Sequence, residues 1–217
     1  MNKKYYLIPV VLLALAALAC AVPNLPLGDG SLFKDDFASD SSGWGTGTDA
    51  ESSVEYSGGE LTMKVFLDNY FVWSTPGMDN VDNVHIEVTA KNVAGEPQTA
   101  FGVLCKHQVT DSYYYFAITS SGDYAIAKTA VAKDDEFLTN NGEWAISDDI
   151  TTNAASYLIG ADCNSDGTLT LYVDGKQIAS VTDTSYSSGE VGLFVWTGEE
   201  TNADIRFDDI VVTSLSK

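Results

Sequence analysis

The chain has 217 residues, 31 of them acidic and 11 basic, for a formal charge of −20. Nucleic acids and anionic membrane surfaces are excluded as partners, because both are bound through basic stripes, and this chain has one Arg and no basic run. Hydrophobic residues make up 45% of it and charged residues only 19%, the composition of a folded domain with an acidic surface.

Met1 to Ala19 opens with Lys3 and Lys4, continues as an apolar stretch interrupted by Pro9, and ends in small residues. A basic start, a short apolar middle and a small-residue end describe a secretory signal peptide; the stretch is shorter than the roughly 20 residues of a membrane span. Ala17-Leu18-Ala19-Cys20 then resembles the lipobox of bacterial lipoproteins, with Ala17 where Leu is preferred. The resemblance implies an exported chain anchored at the cell membrane or cell surface through a lipidated Cys20. Ordinary cleavage after Ala19 is the alternative and leaves Cys20 a free thiol. Residues 20–31, with Pro23, Pro26, Gly28 and Gly30, read as a short tether. The first nineteen residues carry two Lys and no acid, so their removal takes the charge from −20 to −22. Membrane attachment then rests on acyl chains alone, since the domain offers no electrostatic help.

Residues 32–217 read as one domain of short strands. Leu32–Phe37, Val54–Tyr56, Leu61–Leu67, Asn69–Ser74 and Asn83–Asn92 are alternating or apolar runs separated by Ser, Gly, Asn and Pro. Thr99–Gln108, Ser112–Thr119, Asp123–Ala130, Trp144–Ile146, Ser156–Asp162, Thr168–Val173, Gln177–Val181, Glu190–Trp196 and Asp204–Leu215 continue the series. Asp174-Gly175, between two alternating runs, predicts a type I′ hairpin whose two central residues have positive φ. Only Val131–Leu138 is expected to form a helical turn or two. About fourteen strands without a composition break predict an all-β fold, a single antiparallel sandwich.

Cys105 and Cys163 lie in apolar runs beyond an export signal, where disulfides persist, and are expected to pair. Closing that loop would stabilise the fold by roughly 4 kcal/mol in the chain-entropy account. A metal site on Cys105 and His107, which a regular strand would put on one face, is the weaker reading, as the chain has two His and no CxxC pair. His85, beside Glu87, is expected on a solvated strand face.

Six phrases in order carry a resemblance: Phe33-Lys34-Asp35-Asp36-Phe37 with Ser42-Gly43-Trp44; Tyr56-Ser57-Gly58-Gly59-Glu60-Leu61; Tyr113 to Ile118; Leu169 to Gly175; Ser188 to Leu193; and Phe207-Asp208-Asp209-Ile210-Val211-Val212. Together they resemble the concanavalin A-like lectin/glucanase superfamily, above all its laminin-G-like and 3-keto-disaccharide hydrolase domains. The resemblance implies a two-sheet jelly roll whose first and last strands are neighbours and whose concave face often binds carbohydrate. The Glu-x-Asp-x-x-Glu strand of retaining glucanases is absent, and Phe101 to Cys105 lacks the Asn-Ser-Gly-Ile-like phrase of the hydrolase domains. Nor is there a Gly-x-Ser-x-Gly elbow. The expected function is therefore a non-catalytic, envelope-anchored binding module for carbohydrate. A glycoside hydrolase of the 3-keto-disaccharide type, or a structural or adhesive partner of another envelope protein, are the alternatives.

Sugar faces stack on aromatic rings, which makes Tyr70, Trp73, Tyr113, Tyr115, Trp144 and Trp196 the binding candidates. Alternation in Ser112–Thr119 assigns Tyr114, Phe116 and Ile118 to the core and Tyr113, Tyr115 and Ala117 to the other face. Trp144, in a loop-rich stretch, is the best candidate for an exposed ring, and Trp44 reads as a structural plug. No cofactor is required. Asp35, Asp36, Asp208 and Asp209 sit on strands the resemblance makes neighbours, and they form a candidate structural calcium site.

Overall fold

The computed structural model describes residues 30–109 and 112–216. Cys20, the expected signal peptide and nearly all of the expected tether lie outside those residues. Sixteen strands follow in chain order, starting with β1 Ser31–Asp35, β2 Gly47–Thr48, β3 Ser52–Ser57, β4 Glu60–Val65, β5 Phe71–Ser74 and β6 Val84–Asn92. Next come β7 Ala100–Gln108, β8 Ser112–Thr119, β9 Asp123–Thr129, β10 Glu136–Phe137 and β11 Ala145–Ile146. The last are β12 Tyr157–Cys163, β13 Thr168–Val173, β14 Lys176–Thr182, β15 Glu190–Trp196 and β16 Ala203–Ser214.

The strands form two antiparallel sheets. One runs β14-β13-β12-β6-β16-β4-β3-β2, with β1 also paired to β16; the other runs β10-β9-β8-β7-β15-β5, with β11 added on β9. The all-β sandwich expected from the sequence is thus the fold, and its chain-end strands are neighbours, with Asp35 opposite Ile210.

The core lies between the sheets and follows from period-two alternation. Tyr114, Phe116 and Ile118 of β8 face Ile86, Val88, Ile205 and Phe207 of the other sheet's strands within one buried cluster. Each such side chain contributes roughly 1.5–3 kcal/mol by leaving water. The Cys105–Cys163 disulfide joins β7 to β12 and so ties the two sheets through this core. Trp44 is the plug its Gly neighbours suggested: it is buried against Phe33 and Phe37, and its indole Nε1 donates to Oδ2 of Asp35 at 3.0 Å.

Asp174 and Gly175 both have positive φ, 50° and 76°, and close the β13–β14 hairpin. Val131–Leu138 departs from expectation. It is not helical but contains β10, which pairs with β9 through Phe137 opposite Ala127. The open edge of β9 supplies backbone partners, such as the Ile126 carbonyl that accepts from the Leu138 amide, and these outweigh a weak local helical pattern.

Candidate functional site

The seven-stranded sheet has one face in the core and one face outward, and the outward face is also apolar. Ala100, Leu104, Tyr113, Tyr115, Ala117, Ala125, Ala127 and Phe194 form a second buried cluster there, with Phe71, Phe137, Trp144 and Trp196 packed on it. A half-solvated sheet would carry polar residues on that side. Here the outer surface is instead a floor covered by rings and by the segment after β9.

Each ring is placed by strand parity. Tyr113 and Tyr115 stand outward from β8, as the alternation required, with Phe71 and Trp73 from β5 and Phe194 and Trp196 from β15. Phe71 stacks on Phe194 at 5.0 Å and 10° between planes. Gly102 makes room for this: a Cβ there would run into the Phe116 carbonyl and lie 3.4 Å from the Phe194 ring. Small side chains at Ala100 and Ala117 leave the floor low, and between the rings lies a cavity of about 530 Å³. Asp134, Asp135, Thr129 and Phe137 complete its wall.

The Tyr115 hydroxyl donates to Asp135 Oδ2 at 2.9 Å. Burial, reinforced by the Asp135 charge, pushes this phenol far above its ordinary range, so it remains a donor and fixes the carboxylate at the wall. Trp144 is not the freely exposed ring expected. It is partly buried against Phe137 and stacked on Trp196, and its carbonyl accepts from Asn140 Nδ2 at 2.7 Å. Its indole forms a shared wall between the cavity and a second hollow lined by Asn69, Gln98, Thr119, Asp123, Gly198 and Glu199.

Of the six aromatic candidates, the structure brings Tyr113, Tyr115, Trp144 and Trp196 together around the cavity. Trp73 lies on the same face but beyond it, 4.5 Å from the His107 ring, which in turn meets Tyr113. Tyr70 does not belong. It shares the parity of Val72 and packs toward the inter-sheet core. Phe71, Phe194, Phe137, Asp134 and Asp135 were not among the candidates. Parity with Trp73 and Trp196 was the signal for the two Phe in β5 and β15; the sequence held none for the wall segment, which depends on β10 pairing.

Cys105 and His107 do not share a face. A bulge between Cys105 and Gln108, with Lys106 at φ 53°, puts the disulfide-bonded sulfur of Cys105 in the core and the imidazole against Trp73. Lys106 itself turns inward, where its Nζ donates to the Asn164 carbonyl at 2.8 Å. Burial lowers its pKa. His85 does lie on an outer face beside Glu87, but it is engaged there: Nδ1 sits 2.6 Å from Asp162 Oδ1, whose other oxygen accepts from Tyr172 at 2.8 Å.

Asp35, Asp36 and Asp209 line one shallow hollow between β1 and β16. Asp35 uses one oxygen on the Phe37 amide and the other on the Trp44 indole, which is a structural role. Asp208 does not line that hollow; it sits at the start of the β16 bulge, where its Oδ1 accepts from the Asp209 amide at 2.9 Å. Burial and the Asp209 charge raise its pKa, and Lys91 and Glu60 are its other charged neighbours. Among the described residues, no three His, Cys, Asp or Glu gather as a metal site.

Two antiparallel sheets with adjacent first and last strands make the chain a jelly-roll sandwich, and the ring-floored cavity lies on its outer face. Solved structures of that fold are similar to this chain. The carbohydrate-binding module CBM66 from Bacillus subtilis aligns with a TM-score of 0.60 at 15% identity, over 79% of this chain and 96% of that one. A β-glucanase from Bacillus licheniformis aligns at 0.58 and 14% identity, over 87% and 100%. A Bacillus subtilis protein of unknown function with a galectin-like fold aligns at 0.61 and 10% identity, over 85% and 96%. At such identities the likeness is one of fold. No protein-family model matches the chain, and no curated protein sequence matches it.

Proposed function

We propose that this protein is an exported binding module for carbohydrate, held at the cell envelope by a lipidated Cys20, and that the ring-floored cavity is its ligand site. The observation that carries the reading is the grouping of Tyr113, Tyr115, Trp144 and Trp196 around one cavity on the outer sheet face. Sugar rings present apolar C–H faces and polar edges, and Tyr and Trp meet both. Likeness in fold to a carbohydrate-binding module and a β-glucanase supports the same class of ligand.

Binding is favoured over hydrolysis by what the floor lacks. A two-carboxylate glycosidase needs its acid and nucleophile or base fixed on opposite sides of the bond. The outward positions of β8 are Tyr113, Tyr115, Ala117 and Thr119, and both acids of the cavity hang from the segment after β9. The test is a polysaccharide panel incubated with the full chain in detergent, following retention and reducing-end release together. Retention without release is expected. Release that disappears when Asp134 or Asp135 is replaced by Asn would replace the binding module with an enzyme.

A further inference from the structure

The cavity combines aromatic walls with acid. Tyr115, Trp144 and Trp196 contribute ring faces, Asp134 and Asp135 contribute charge, and none of its described lining residues is Lys or Arg. The hollow sharing Trp144 and Trp196 repeats the pattern with Asp123 and Glu199 and again no basic lining residue. Ring faces carry the negative side of an aromatic quadrupole and attract cations, most strongly where water is excluded. Asp134 and Asp135 are solvent-exposed at the rim, and covering them with a ligand is costly unless that ligand brings positive charge. Rings and acids therefore ask for the same occupant.

We infer that the cavity selects sugar units bearing an ammonium group, of the de-N-acetylated glucosamine kind, over neutral and acidic sugars. This rests on the carbohydrate reading above. The ammonium would sit between the Trp144–Trp196 wall and the Asp134–Asp135 rim, with Tyr115 holding Asp135 in place through its hydroxyl. Uronic acids would be rejected by the same rim and by the chain's overall charge of −20.

The experiment is calorimetric titration of the full chain, in detergent at near-physiological salt, with four probes. Three are β-1,4-linked oligosaccharides of equal length built from glucosamine, N-acetylglucosamine or glucose; the fourth is choline, an ammonium without a sugar. The glucosamine form is expected to bind about tenfold more tightly than the other two oligosaccharides, the gain of an ammonium over partly buried rings that the ligand itself covers. In the Asp134→Asn, Asp135→Asn double variant that margin shrinks severalfold. It also disappears in Trp144→Ala, Trp196→Ala, whereas a general attraction of cations to an acidic protein would survive there. A margin that persists without the two Trp overturns the inference. So does equal or weaker binding of the glucosamine form while neutral oligosaccharides are held, which leaves the carbohydrate reading standing. Choline bound with every oligosaccharide ignored overturns the carbohydrate reading and the sugar half of this inference, and silence from all four probes overturns both.

Discussion

Trp144 and Trp196 lie with ring centroids 6.2 Å apart and planes 16° from parallel, one from the end of β15 and the other from the segment leading into β11. Their stack makes a wall that neither element could form alone. Replacing Trp144 with Ala should weaken retention of a bound polysaccharide about tenfold or more, as truncating a central aromatic anchor does. Because the ring is only partly buried, the unfolding midpoint should move little. Titration and denaturant melts on the same variant check both halves; unchanged retention would remove Trp144 from the site.

The sheets are tied by Cys105–Cys163, which closes a loop across a sequence separation of 58. Replacing both Cys with Ser should cost about 4 kcal/mol if chain entropy dominates. Urea unfolding of the variant and of the parent, with and without reductant, measures it. Parent and variant should coincide once the parent is reduced.

Asp35 holds the Trp44 indole and the Phe37 amide with its two oxygens in a buried corner. Asp35→Ala leaves both donors without that partner and should cost about 2–4 kcal/mol. Asp35→Asn should cost less, since its amide oxygen still accepts one bond. Thermal melts of the two variants rank them; equal losses would contradict the hydrogen-bond account.

Asp183 accepts from Lys128 at 2.7 Å and from the Tyr114 hydroxyl at 2.6 Å. Burial opposes its charge, but the hydrogen bonds from Lys128, Ser185 and Tyr114 outweigh that and hold its pKa well below the usual carboxylate range. A carboxyl lowered on folding stabilises the protein above its unfolded pKa of about 3.9, and that contribution is lost as pH falls further toward the folded value. Stability should decline below about pH 4 with a smaller slope in Asp183→Asn than in the parent. Urea midpoints across pH 2–6 provide the comparison.

Lipidation of Cys20 predicts that Cys20→Ser moves the protein from the membrane fraction to the soluble exported fraction. Fractionation of cells expressing both forms reads it directly. Unchanged membrane retention would reject lipidation of Cys20 as the mode of attachment.

Much of the fold was legible in the chain because strand parity is a local property. Ser112–Thr119 divided correctly into Tyr114, Phe116 and Ile118 inward and Tyr113 and Tyr115 outward, and Asp174-Gly175 marked its hairpin. Parity fails where a bulge adds a residue. Lys106 at φ 53° sent His107 to the face opposite Cys105, and the β16 bulge left Asp208 and Asp209, which strict alternation would put on opposite faces, both outside the core. Neither bulge is written in a pattern of two.

By itself the sequence determined an acidic all-β sandwich, a cysteine pair able to bridge it, and a set of candidate rings. Tertiary structure alone decided which rings share a cavity. It removed Tyr70 to the core side, brought in Phe71 and Phe194, and hung Asp134 and Asp135 over the floor by pairing β10 with β9. The physical reason is range. Which way a side chain points is settled by its immediate neighbours, whereas which side chains meet is settled by hydrogen-bonded pairing between strands far apart in the chain.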